Sequence, residues 1–151
     1  MKNYLPFIFF LLAVLGKANA QTSDDAKKTI GEFFIAFHNQ DTTALKALAY
    51  TDINMQSISI DKEGRTVLHN TLYGEFLKSI ASIPESTKFE ERLTGYEVKS
   101  DNKMANVWTP YQFFINDKMS HCGVNNFQLI SIDSTWKIFY IVDTRSTENC
   151  L

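Results

Sequence analysis

Residues 108–145 read WTPYQFFINDKMSHCGVNNFQLISIDSTWKIFYIVDTR. Three runs rich in aromatic and β-branched residues are separated only by Asn116-Asp117 and Asp133-Ser134, pairs that accept the left-handed backbone of a tight turn. The segment therefore predicts two successive antiparallel hairpins. Turning the second at Asp133-Ser134 sets Leu129 opposite Ile138, Phe127 opposite Tyr140, Asn125 opposite Val142, Gly123 opposite Thr144 and His121 opposite Ser146. Turning the first at Asp117 sets Phe113 opposite His121 and Tyr111 opposite Gly123.

Opposed residues share a face. One face is apolar near Asp133, with Trp136, Ile138, Leu129 and Phe127, and gains polar tips toward its far end: Tyr111, His121, Asn125, Thr144. The missing side chain of Gly123 leaves room for the Tyr111 ring or a ligand. The other face carries Phe114, Val124, Ile130, Phe139 and Ile141, too much apolar surface for a solvated sheet, and predicts a homodimer packed through it. Asp143 and Arg145 fall on that outer face as a surface or interface pair, unless a bulge turns Asp143 inward.

Upstream, the period changes. Ser23 caps a helix with Asp24 and Asp25 in its first turn, and Ala26, Ile30, Phe33, Phe34 and Phe37 recur at helical spacing. A second short helix starts at Asp41 with Ala44, Leu45 and Leu48 on one face. Ile53 to Ile60 reads as a strand ending at the turn Lys62-Glu63-Gly64. Asn70 caps a third helix with Leu72, Tyr73, Phe76, Leu77 and Ile80 inward, and Pro84 marks its end. Phe89 to Lys99 reads as one long strand that turns at Asp101-Asn102 into the run from Met104. Helices first and an antiparallel meander after predict an α+β domain, with the helices packed in a strongly curved sheet.

Residues 1–20 carry Lys2, an apolar run from Leu5 to Leu15 and the small-x-small site Ala18-Asn19-Ala20, the pattern of an export signal cleaved after Ala20. The run is too short to span a bilayer, which needs about 20 residues. Losing Lys2 and Lys17 leaves 13 basic residues against 17 acidic ones, a net charge of −4 over residues 21–151, read as one domain. Such a balance argues against nucleic acid and anionic membrane surfaces as partners. The two cysteines, Cys122 and Cys150, permit one disulfide in an exported chain; the alternative is a buried free thiol at Cys122 with Cys150 in a disordered tail. Cys122 is a poor nucleophile candidate beside His121, because adjacent strand residues point to opposite faces. No metal-ligand spacing, Gly-rich phosphate loop, dinucleotide fingerprint or G-x-S-x-G elbow occurs, so no metal and no cofactor is expected.

Trp108-Thr-Pro-Tyr111, Asn116-Asp-Lys118, Ser120-His121-Cys122-Gly123, Phe127-Gln-Leu129, Trp136-Lys-Ile138 and Asp143-Thr-Arg145 carry a resemblance to the nuclear transport factor 2-like superfamily. More narrowly, the chain resembles exported bacterial lumazine-binding members of the polyketide cyclase and ketosteroid isomerase-like kind. That resemblance implies three N-terminal helices in a cone of curved sheet, a cystatin-like roll, and a periplasmic or secreted location. A ketosteroid-isomerase-like enzyme would place a carboxylate base on the first strand. This chain reads Asn54-Met55-Gln56-Ser57-Ile58 there, which argues against that mechanism.

Three functions follow from such a cone. The first is binding of a small, flat, mostly apolar molecule enclosed by Tyr111, Trp108, Phe113 and Tyr140 and oriented by His121 and Asn125, with Thr144 and Asn54 also in the pocket. The second is a cofactor-independent isomerase, dehydratase or cyclase with His121 as general acid or base and Asn54, Tyr111 or Asn125 polarising a carbonyl. The third is a structural dimerisation module without a ligand.

Overall fold

A computed structural model describes residues 23–148 and residue 150. The export leader expected over residues 1–20 lies outside the described residues. Helix α1 (23–38) buries Ala26, Ile30, Phe33, Phe34 and Phe37, the stripe its spacing predicts. Helix α2 (Thr42–Leu48) is capped by Asp41, whose Oδ1 accepts from the Ala44 N–H at 2.9 Å. Leu45 anchors it in the core.

The strands are β1 (Asn54–Ile60), β2 (Thr66–Leu72), β3 (Phe89–Leu93), β4 (Glu97–Ser100), β5 (Met104–Ile115), β6 (Lys118–Ile132) and β7 (Thr135–Thr144), with helix α3 (Tyr73–Ala81) between β2 and β3. They form one curved, open sheet in the order β2-β1-β7-β6-β5-β3, with β4 also on β5. All neighbours are antiparallel except β1 and β7, which run parallel, so the sheet is mixed rather than a pure meander.

Two differences from the sequence reading are local. Asn70 caps no helix: residues 66–72 form β2, which pairs with β1 along its whole length, and α3 starts after Leu72. Exposed along nearly its whole length, this edge strand carries no hydrophobic alternation to announce it. The run from Phe89 to Lys99 is divided at Thr94–Tyr96, where Pro110 lies opposite on β5. Proline cannot donate to a ladder, and here it sits where the neighbouring ladder is interrupted. Its carbonyl still accepts from Thr94 N–H at 2.9 Å.

The core lies between the helices and the concave face. Phe33 packs edge-on against Phe34 and Phe127 at centroid distances of 5.3 Å each, and Phe37 meets Phe89 at 5.1 Å. The one buried polar anchor from α3 is Tyr73, whose hydroxyl donates to the Leu45 carbonyl at 2.7 Å and ties α3 to α2. Trp136, Leu129, Ile138 and Phe127 are all buried, as the hairpin face predicts.

Candidate functional site

The concave face is graded in rows. Val107, Phe127, Ile141 and Met55 form an apolar row across four strands. Two residues further along each strand the row is polar: Thr109, Asn125, Asp143, Ser57. Beyond it come Tyr111 opposite Gly123, then Phe113 opposite His121. On β3, Phe89, Glu91 and Leu93 alternate inward and bring a carboxylate to the same region. Part of each row and the Phe33, Phe34, Phe37 and Phe76 rings line a cavity of about 350 Å³, with Ser57, Asn125 and Asp143 from the polar row and Glu91 from β3.

Of the residues expected there, Tyr111, Phe113, His121 and Asn125 line this cavity. Tyr140, Thr144, Trp108 and Asn54 do not. One bulge explains the first two. Leu129 pairs with Ile138 as counted, but Gln128 then pairs with Tyr140, leaving Phe139 as an extra residue. Every β7 residue past the bulge exchanges faces. Tyr140 turns outward and donates to Gln56 Oε1, and Thr144 Oγ1 accepts from Val124 N–H at 3.1 Å. Ile141 turns inward into the core, 3 % exposed, so it leaves the outer face on which a dimer was expected. Asp143 and Arg145 turn inward to line the cavity. Trp108 faces outward, 42 % exposed, because β5 runs through Pro110 without losing its alternation. Asn54 is exposed at the start of β1.

The space left by Gly123 is not available to a ligand. A Cβ there would lie 1.8 Å from the Thr144 carbonyl oxygen, so β7 backbone fills it. The same Thr144 carbonyl accepts from the Tyr111 hydroxyl at 3.0 Å. Cys122 and Cys150 are bonded, and Cys122 and Ser146 exchange two backbone hydrogen bonds of 2.9 Å, which hold the chain after β7 against β6.

Charge at the polar end is compact. Asn125, only 7 % exposed, donates from Nδ2 to Glu91 Oε1 at 2.6 Å. Burial pushes the Glu91 carboxyl up to about 7; nearby Asp143 adds to this, while Asn125 and Arg145 oppose it. Asp143 Oδ2 accepts from Arg145 Nε at 2.8 Å and from the Tyr111 hydroxyl at 3.3 Å. Burial, with help from Asp143 and Glu91, pushes the Tyr111 phenol well above its ordinary range, so it stays a neutral donor. His121 stacks on Phe113 at 4.8 Å, and burial, aided by Arg145 and opposed by Asp143, lowers its pKa and so favours the neutral imidazole. The Ser57 hydroxyl has no partner among the described residues.

Glu91, Asp143, Arg145 and Ser57 were absent from the expected site. Glu91 was legible in principle, since Phe89-x-Glu91-x-Leu93 alternates. Among the described residues, no group of three or more His, Cys, Asp or Glu is placed to hold a metal ion, and no helix is long and apolar enough to cross a membrane.

No family model and no curated protein matches the chain. Solved structures do. An NTF2-like protein of unknown function from Shewanella baltica superposes with a TM-score of 0.60 at 10% identity, over 85% of this chain and 97% of its own. One from Pseudomonas putida, also of unknown function, gives 0.65 at 11% identity, over 86% and 90%. A proposed dehydratase of the same family from Streptomyces avermitilis gives 0.62 at 14% identity, over 84% and 97%. At such identities the likeness shows the fold: three helices in a curved sheet of the NTF2-like kind.

Proposed function

We propose that this NTF2-like domain binds a small, flat, mostly apolar molecule in the cone between its helices and its concave sheet. The observation that carries this reading is the cavity of about 350 Å³ with an aromatic floor and one polar pole. The volume suits a bicyclic ring, the size of the pteridine that the lumazine-binding resemblance implies. Phe113 and the Phe34 and Phe37 rings enclose such a plane, and Glu91, Asn125, Tyr111 and His121 meet its polar edge. Titration with 2-naphthylmethanol, followed by amide and side-chain NMR shifts, tests it. Shifts confined to the cavity lining support the reading; shifts on the outer face alone, or none, overturn it.

A second reading is proton transfer, favoured by one observation. A carboxyl held near 7 inside an apolar cavity is poised to give and take a proton at neutral pH. In this reading Glu91 is the acid–base group, with His121 neutral and fixed on Phe113 as a hydrogen-bonding partner. The fold likeness to a proposed dehydratase agrees with it. A panel of dehydration and isomerisation substrates should be turned over by the native protein and not by Glu91→Gln; equal turnover would exclude Glu91 as the acid–base group.

Export with cleavage after Ala20 remains part of the proposal, and a bonded Cys122–Cys150 pair suits an oxidising compartment. The intact mass of the mature protein tests it. Dimerisation through Phe114, Val124, Ile130 and Phe139 is proposed on the same terms, with sedimentation at micromolar concentration as the check.

A further inference from the structure

We infer that the ligand of the cone is a cation: an ammonium group on a flat apolar body, seated between the Glu91 and Asp143 carboxylates. This rests on the reading that the cavity is a ligand site, and it specifies the chemistry of what enters.

The charges facing Glu91 can be counted element by element. β7 and the residue after it bring Asp143 and Arg145, β6 brings His121 and Asn125, and β5 brings Tyr111. β1 and β2 bring Met55, Gln56, Ser57 and Thr71, and α3 brings Phe76, Ser79 and Ile80, none of them charged. From α1 come phenylalanine rings, and His38 Nε2 accepts from the Glu91 backbone N–H at 2.9 Å. With Nε2 an acceptor, the His38 ring does not carry both protons, and burial lowers its pKa in the same sense.

Among the lining residues two carboxylates therefore face one cation, which is bonded to Asp143 and acts on Glu91 only through space. Arg145 donates through Nε to Asp143, from a side chain 55% exposed at the rim. Glu91 has the neutral Asn125 amide. A buried carboxylate with no counter-charge is costly, and the group lowers that cost by keeping its proton. That proton stands where a ligand's positive charge would stand. The surroundings suit an ammonium in a further way. Ser57, in register with Asp143, has a hydroxyl free to accept an N–H. A neutral ligand brings no charge to take the place of the Glu91 proton, and an anion would face the Asp143 carboxylate and any ionised Glu91.

The binding step balances as R–NH3⁺ plus Glu91–COOH giving the R–NH3⁺···⁻OOC–Glu91 pair plus one proton to buffer. With Glu91 near 7, about half a proton per ligand is released at pH 7.

The experiment is calorimetry at pH 7 in two buffers of different ionisation enthalpy, with 2-naphthylmethylammonium, 2-naphthylmethanol and 2-naphthoate as probes. The ammonium is expected to bind at least about tenfold more tightly than the alcohol, consistent with a partly desolvated ion pair, and to release about half a proton. Glu91→Gln, of equal size, should abolish the release and bring the ammonium-to-alcohol ratio to within about threefold of unity; Asp143→Asn should lower the ratio as well. Tighter binding of the alcohol or the naphthoate, or ammonium binding without proton release, overturns the inference while leaving the cavity reading intact. Binding of none of the three overturns both.

Discussion

Glu91→Gln should make the protein more stable at alkaline pH and change little at acid pH. Glu91 points into the cavity from β3 with the Asn125 amide as its hydrogen-bond partner. Its carboxyl stands at about 7 against an ordinary 4.5, a difference worth about 3 kcal/mol at about 1.4 kcal/mol per tenfold in binding constant. The sign follows from proton counts. Below 4.5 the carboxyl is protonated both folded and unfolded, and burial carries no charge penalty. Between 4.5 and 7 the folded chain holds the proton that the unfolded chain has lost, so stability falls as pH rises. Above 7 both forms are ionised and the whole penalty is present.

Glutamine keeps the volume and an oxygen for Asn125 but cannot ionise. Urea unfolding of both proteins from about pH 4 to about pH 8.5 is the assay, read as the difference in unfolding free energy. His38 and His121, both lowered by burial, impose an opposite slope toward acid pH, but they are present in both proteins and cancel in the difference. The expected difference is near zero at the acid end and about 3 kcal/mol in favour of the variant at the alkaline end. Parallel curves, or a variant less stable above neutrality, would show that Glu91 is hydrated rather than buried and would remove the physical basis of the polar pole.

Gly123→Ala should cost about 3 kcal/mol or more, because the added Cβ would sit 1.8 Å from the Thr144 carbonyl oxygen and must displace β7 backbone; thermal unfolding with no loss would refute the close approach. Replacing both Cys122 and Cys150 by serine opens a loop with a sequence separation of 28 and should cost roughly 3 kcal/mol, measured by denaturant titration against the oxidised protein. Tyr73→Phe removes the buried 2.7 Å hydrogen bond to the Leu45 carbonyl and should cost about 1–2 kcal/mol while leaving the cavity lining in place, so stability falls and probe binding does not.

What could be read in the residues follows from which forces are local. The α1 stripe of Ala26, Ile30, Phe33, Phe34 and Phe37 was legible because a helix repeats over neighbouring residues. The Phe113–His121 and Tyr111–Gly123 pairings match a count centred on Asp117, while the turn itself is the two-residue pair Asn116-Asp117, φ 49° and 62°, which sets Ile115 opposite Lys118. Between that turn and those pairs Ser120 is an extra residue: Phe114 pairs with Met119 and Phe113 with His121, and this one-residue shift supplies the offset that the count about Asp117 contains. The edge strand β2 was not legible, since its stability comes from hydrogen bonds to β1 rather than from a buried face.

By itself, the sequence determined the α+β class, the helical stripes and the apolar end of the hairpin, all of which depend on patterns spanning a few residues, and its count placed four residues in the cavity. Only the tertiary structure decided the chemistry of the cavity. A single extra residue at Phe139 lets β7 follow the curvature of the sheet, and pleat parity then carries the change to every residue beyond it, turning Tyr140 and Thr144 out and Asp143 and Arg145 in. Where that residue is accommodated depends on how the whole sheet bends around the helices, a balance of packing that no short stretch of chain contains.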